Sequence, residues 1–177
     1  MADKVVMDSD SINRTISRIV NQILERNNGA ADVVIVGIRT RGVHIATRIA
    51  NEIEKLEGIR PEMGTLDITL YRDDLRQKTE WPKVEKTEVP FDLDDKKVIL
   101  VDDVIFTGRT TRAAIEAIMD FGRPSSIQVV TLIDRGHREL PIQPDYAGLK
   151  LNTLSSETVR VHLKETDGKD EVVVVKQ

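Results

Sequence analysis

The chain has no cysteine, which excludes disulfides, thiolate metal centres and thiol nucleophiles. Aromatic residues are scarce: three Phe, two Tyr and one Trp leave few platforms on which nucleic-acid bases can stack. No apolar run approaches the roughly 20 residues of a membrane-spanning helix, and the opening MADKVVMDSD has no apolar centre of the kind a signal peptide needs. A cytoplasmic protein without membrane contact is therefore expected. The sequence contains no Gly-Lys-Ser or Gly-Lys-Thr and no Gly-x-Gly-x-x-Gly, so neither a Walker loop nor a dinucleotide fingerprint is present. Neither sign of charge dominates: 26 Lys and Arg stand against 30 Asp and Glu, and nucleic-acid binding would need a local basic face rather than a cationic surface. At 177 residues there is room for one α/β domain, residues 1–177, with a sizeable core.

What is present centres on Val98 to Thr111, VILVDDVIFTGRTT. Val98 to Val101 read as a buried parallel strand, and Asp102 and Asp103 follow at its C-terminal edge. Thr107, Gly108, Arg109, Thr110 and Thr111 then lead into a helix with Ala113, Ala114, Ile115, Ala117, Ile118 and Met119 on its apolar face. Backbone N–H groups at a helix N-terminus, a glycine that permits close approach and threonine hydroxyls suit one phosphate. Two carboxylates beside it suit ribose hydroxyls or a divalent ion better than a bare polyphosphate. The combination implies a phosphorylated ribose, whereas the bland reading makes the acids helix caps at an ordinary turn.

A second strand-to-helix turn runs from Asp32 to Gly42. Val33 to Val36 form the strand, and Arg39, Thr40 and Arg41 precede a helix carrying Ile45, Ile49 and Ile53. The arginines suit a second polyanion or are simply surface charges. Ser9 or Asp10 is expected to cap a first helix with Ile12, Ile16, Ile19, Val20 and Ile23 on one stripe and Arg14 and Arg18 off it. Leu66, Ile68 and Leu70 alternate as a strand does, and the polar stretch Arg72 to Pro90 is long for a loop. Ile127 to Ile133 predict a strand, with no regular element across Pro141 and Pro144. Val159, Val161 and Leu163 predict a hairpin against Val172 to Val174.

Val98 to Thr110 resembles the phosphoribosyl diphosphate (PRPP) motif of type I phosphoribosyltransferases. The similarity runs from about Ile12 to about Val175. Through VGIRTRG, DITLYRDDL and RPSSIQVVTLIDRGHRELPI it points to members that combine uracil phosphoribosyltransferase activity with regulation of the pyrimidine operon. The resemblance implies an α/β fold of type I phosphoribosyltransferase form, with a central, mainly parallel sheet flanked by helices, a flexible arm at 71–90 and a small hood at 134–150. It implies conversion of uracil and PRPP to UMP and diphosphate with Mg²⁺. Asp102 and Asp103 would orient the ribose and hold the metal through water. Thr107, Gly108, Arg109, Thr110 and Thr111 would hold the 5-phosphate, and Arg39, Thr40 and Arg41 the pyrophosphate. Arg72 would close over it, and Asp134 and Arg135 would belong to the base hood.

It further implies that uridine nucleotides, UMP or UTP, promote binding to the pyr operon mRNA leader and so attenuate transcription. Arg14, Arg18, Arg26, His137, Arg138 and Lys150 are the candidate RNA contacts, and a homodimer or larger homo-oligomer is expected. Two other readings compete: a phosphoribosyltransferase for a purine or orotate with no RNA role, and an RNA-binding nucleotide sensor with vestigial catalysis. The hood sequence DRGHRELPI and the arm sequence DITLYRDDL favour uracil and regulation.

Overall fold

The computed structural model describes residues 4–73 and 85–176. The chain runs β1 (Lys4–Asp8), α1 (Ser9–Asn27), β2 (Val33–Ile38), α2 (Arg41–Glu57), β3 (Glu62–Leu66), a 3₁₀ turn (Thr69–Tyr71) and β4 (Lys97–Ile105). It continues with α3 (Arg109–Met119), β5 (Ser126–Asp134), β6 (Tyr146–Lys150), β7 (Glu157–His162), a single helical turn α4 (Lys164–Asp167) and β8 (Glu171–Lys176). Five strands form an all-parallel sheet in the order β3-β2-β4-β5-β6. A second sheet, β1-β8-β7, is antiparallel throughout.

The order of the strands places the site. From the central pair β2 and β4, α2 leads outward to β3 and α3 leads the opposite way to β5. Parallel crossovers are right-handed, so helices leading in opposite directions cover opposite faces of the sheet. Ile45, Ile49 and Ile53 of α2 accordingly pack with Ile12, Ile19 and Ile23 of α1 against Ile35, Ile99 and Val101. Ala113, Ala117 and Ile118 of α3 pack on the other face against Val34, Val98 and Leu100. Each isoleucine fully removed from water contributes about 1.5–3 kcal/mol, and β2 is buried along its whole length. A crevice opens where the strand order diverges, at the carboxyl ends of β2 and β4.

Four expectations need correction. The alternation at Leu66, Ile68 and Leu70 is not a strand: β3 ends at Leu66, and Ile68 is buried because the following 3₁₀ turn folds it under. The first helix is capped by Asp8 rather than Ser9 or Asp10, its carboxylate accepting the Ser11 N–H at 2.8 Å. The stretch placed in the hood, 134–150, includes a regular strand, β6, which starts after Pro144 and pairs with β5. The C-terminal hairpin forms with Val159 opposite Val174 and Val161 opposite Val172, but its connection contains α4, and β1 adds a third strand that the apolar pattern of Lys4–Asp8 did not announce. The arm expected at 71–90, with Trp81, lies largely outside the described residues.

Candidate active site

Pairing between β2 and β4 runs only as far as Gly37 opposite Val101. Beyond that point β2 turns away into the loop at 39–41, while β4 continues to Ile105, paired on its other side with β5. Asp102 and Asp103 thus stand inside the strand, on the part of its edge that β2 has left. Local bonds set their carboxylates: the Asp103 N–H donates to Asp102 Oδ1, and the Val104 N–H to Asp103 Oδ1, each at 2.9 Å. Burial pushes the Asp102 carboxyl well above the usual carboxylate range, and the charge of Asp103 beside it pushes the same way.

Gly42 explains how the second loop comes so close. A Cβ on it would sit 2.5 Å from the Val101 carbonyl oxygen and 3.3 Å from Asp102 Cα, so the first turn of α2 rests directly on β4 beside the acids. Gly37 serves the same approach from below, with Val43 Cα 2.6 Å from where its Cβ would be. The sequence marked Gly42 only as part of an anion loop; its tertiary contact carried no local signal.

The loop from β4 to α3 is built as its composition predicts. Gly108 caps α3 with φ +90°, a conformation that favours glycine. The Thr107 hydroxyl accepts the Arg109 N–H at 3.4 Å. Thr111 is buried and Thr110 is partly exposed on the first turn of α3. The Arg109 guanidinium leaves this cradle, pairing with Asp73 at 2.5 Å and Glu139 at 2.6 Å.

The arginines of the other loop are also engaged. The Arg39–Thr40 peptide bond is cis. Arg39 donates to the Lys86 carbonyl at 3.0 Å, Glu85 at 3.2 Å and Thr65 at 3.2 Å, so its guanidinium braces the base of the arm. Asp67 closes that base as well, accepting from the Thr69 N–H and hydroxyl and from the Glu85 N–H, and Thr65 and Glu88 form an antiparallel bridge. Arg41 pairs with Asp167 at 2.8 Å. Arg72 is exposed at the start of the arm.

The segment at 134–143, where the hood is expected, is held to Phe106 at the start of the β4–α3 loop by Arg138. Its guanidinium donates to the carbonyls of Ile142, Phe106 and Gly136, to Asp134 at 2.7 Å and to Gln143, leaving its side chain 11% exposed. Arg138 is therefore a brace inside the hood rather than an RNA-facing cation, contrary to expectation. Asp134 also accepts the Gly136 N–H at 3.0 Å. Arg135 bonds Thr153 and the Glu157 carbonyl, and its guanidinium lies 4.1 Å over the Phe106 ring, which His137 meets edge-on at 5.7 Å. His137 itself is bonded to the Thr153 carbonyl at 2.7 Å.

Two of the remaining basic candidates lie against β6 and the residue before it. Arg18 donates to the Gly148 carbonyl at 2.5 Å, and Arg26 pairs with Asp145 at 2.6 Å, so α1 lies along β6. Lys150 ends that strand, and Arg14 is one helical turn beyond Arg18.

A parallel sheet with its crevice at the β2/β4 divergence, two acids on a strand edge and a strand-to-helix loop on either side is the arrangement of a phosphoribosyltransferase. The model of the phosphoribosyl transferase domain family matches residues 7–166. Among curated proteins, the bifunctional protein PyrR of Chloroflexus aurantiacus is 55% identical over 98% of this chain and 96% of its own length. That of Deinococcus radiodurans is 53% identical over 93% and 90%. The chain belongs to the phosphoribosyl transferase domain family, in the branch of the bifunctional PyrR proteins. In fold it is similar to the hypoxanthine phosphoribosyltransferase of Trypanosoma cruzi, with TM-score 0.74, 15% identity and coverage of 99% of this chain and 97% of that one. The enzyme of Staphylococcus aureus gives 0.72 at 19% identity, covering 98% and 92%. Among the described residues, no helix is long and apolar enough to cross a membrane.

Proposed function

We propose that the chain is a cytoplasmic uracil phosphoribosyltransferase that also binds the pyr mRNA leader under the control of uridine nucleotides. The observation that carries the catalytic half is the acid pair on the open edge of β4, with the loop at 106–111 on one side and the loop at 39–41 on the other. The substrate that matches this spacing of charges is a ribose with a phosphate at one end and a diphosphate at the other. Uracil N1 attacks the ribose C1 and loses its proton. The C1–O bond to diphosphate breaks, and its electron pair leaves with the diphosphate.

Positive charge grows at C1 as negative charge grows on the leaving group, so positioning and fixed charges carry the catalysis. Thr107 to Thr111 anchor the 5-phosphate on the N-terminus of α3. Asp102 and Asp103 orient the ribose hydroxyls. Arg41 faces the diphosphate, and Arg72 closes from the arm. Asp134 and Arg135, joined through Arg138 to the end of β4, hold the hood over the base. Two neighbouring carboxylates that belong to no larger ligand cluster among the described residues suit a hydrated Mg²⁺, which would neutralise the leaving diphosphate while drawing its other ligands from water and substrate.

For RNA, the α1–β6 face offers Arg14, Arg18, Arg26 and Lys150, with His137 on the hood. Contacts there would go mainly to phosphate and sugar. Turnover with PRPP and Mg²⁺ is compared for uracil, orotate, hypoxanthine and guanine. Uracil-specific formation of UMP supports the reading, and turnover of another base overturns it. Leader binding, measured with and without UMP, should tighten with nucleotide and fall steeply with salt. Unchanged RNA affinity in Arg18→Ala and Arg26→Ala would remove this face from the assignment.

A further inference from the structure

Beside the acid pair lies a cavity of about 250 Å³ that none of the loops above accounts for. It is lined by Arg41, Asp103, Val159, Arg160, Val161 and His162. Four of these come from β7, a strand of the second sheet, and none was singled out as a site residue from sequence. Along β7, Val159 and Val161 belong to the main core while Arg160 and His162 alternate onto the other face, and this stretch of the strand as a whole borders the cavity. The antiparallel register with β8, Arg160 opposite Val173 and His162 opposite Glu171, fixes which residues of β7 reach the crevice.

The basic side chains around this cavity are unevenly engaged. The Arg41 guanidinium makes two bonds to Asp167, and Arg39 is spent on the arm base. His162 pairs with Glu171 at 3.1 Å, and Lys169 shares that carboxylate. The Arg160 side chain, by contrast, is exposed and makes no hydrogen bond or ion pair among the described residues. A guanidinium offers five donors in a planar fork that matches phosphate oxygens. One without a partner, beside a carboxylate that a polyanionic substrate must approach, has a ligand as its natural counterion.

We infer that Arg160 is a binding residue for the diphosphate group of PRPP, reaching it from the second sheet across the cavity from Arg41. The inference rests on the phosphoribosyltransferase reading and adds the residue that receives the leaving group. Since UMP carries no diphosphate, Arg160 acts on PRPP and pyrophosphate but not on UMP.

The test uses the full-length protein and Arg160→Ala, Arg160→Lys and wild type. Inorganic pyrophosphate and UMP binding are titrated separately, and PRPP kinetics are recorded with uracil. Arg160→Ala is expected to weaken pyrophosphate binding and raise KM for PRPP by about tenfold or more, as loss of a charge-assisted pair implies, with UMP affinity unchanged. Arg160→Lys should recover part of the loss, because it keeps the charge and loses the fork. Equal weakening of UMP and pyrophosphate, or no change in either, overturns the inference. Absence of uracil turnover in wild type would instead overturn the underlying reading, and the pyrophosphate titration would still decide the role of Arg160.

Discussion

The two strand-to-helix loops beside the acids occupy equivalent places in the fold and are made differently. In the loop from β4 to α3, the groups offered are backbone N–H groups and hydroxyls within six residues, organised by Gly108 at φ +90°. In the loop from β2 to α2, the charge sits on guanidiniums held by distant partners: Glu85 is 46 residues from Arg39, and Asp167 is 126 from Arg41. The first loop is complete once its own turn has formed. The second exists only in the finished tertiary structure, and its arginines are already paired when a ligand arrives.

The largest effect that would probe this contrast is expected at the acids between the loops. Asp102→Asn with Asp103→Asn should lower uracil turnover by about 10²–10³-fold, the scale for removing preorganised charge. The urea midpoint should not fall, because the change relieves a buried carboxylate crowded by its neighbour. A fall in midpoint matching the loss of turnover would make the pair structural rather than catalytic.

Next comes the anchoring of α2. Arg48 binds Asp170 at 2.7 Å and Glu165 at 2.6 Å. Burial works to raise the Asp170 carboxyl, but hydrogen bonds from Arg48 and the Lys164 N–H overcome it and hold it below the usual range. A depressed folded value contributes stability that is present above the unfolded value near ~4 and is lost as pH falls through the folded one. Asp170→Asn should cost about 1.5–3 kcal/mol at pH 7, and its urea midpoint should converge on wild type as pH drops below about 4. A pH-independent gap would place the cost in packing instead.

The glycines then separate the loops directly. Gly42→Ala drives a methyl into the Val101 carbonyl and should cost about 1–3 kcal/mol, with turnover falling as α2 is displaced from the acids. Gly108→Ala meets only side chains, 3.5 Å or farther away, so its cost is the left-handed backbone alone, about 1–2 kcal/mol. Its mark should be weaker UMP binding. The smallest effect is expected from Arg39→Ala: its half-buried guanidinium pairs with a more open Glu85, and removing the pair costs about 1 kcal/mol, read as faster amide exchange at Thr65 and Glu88, whose bridge it braces.

The contrast also explains what could be foreseen. The strand, the acids at its edge and the glycine turn into α3 in Val98 to Thr111 were legible because each group acts through its immediate neighbours. So were the apolar stripe of α1 and the hairpin of β7 and β8, where periodicity reports burial. Arg138 was misjudged because its partners, Phe106 among them, are assembled only when the hood folds back on β4. β1 was missed because five residues carry little pattern and their partner, β8, is at the other end of the chain. Arg160 looked like any surface arginine on a hairpin, and only the docking of the second sheet beside β4 brings it to the crevice.

The closed base of the arm has one more consequence. Thr65 and Glu88 bond each other reciprocally at 2.8 Å, and Asp67 ties the two limbs together just inside them. The two limbs are therefore held at one bridged pair, Thr65 and Glu88, with the Arg39–Glu85 and Arg109–Asp73 ion pairs on either side. Doubling a loop's length costs about 0.6 kcal/mol in closure entropy, little beside the packing beneath. The constraint therefore rests on residues 65–67 and 85–88 themselves, whose bonds hold the two limbs in register independently of what they carry.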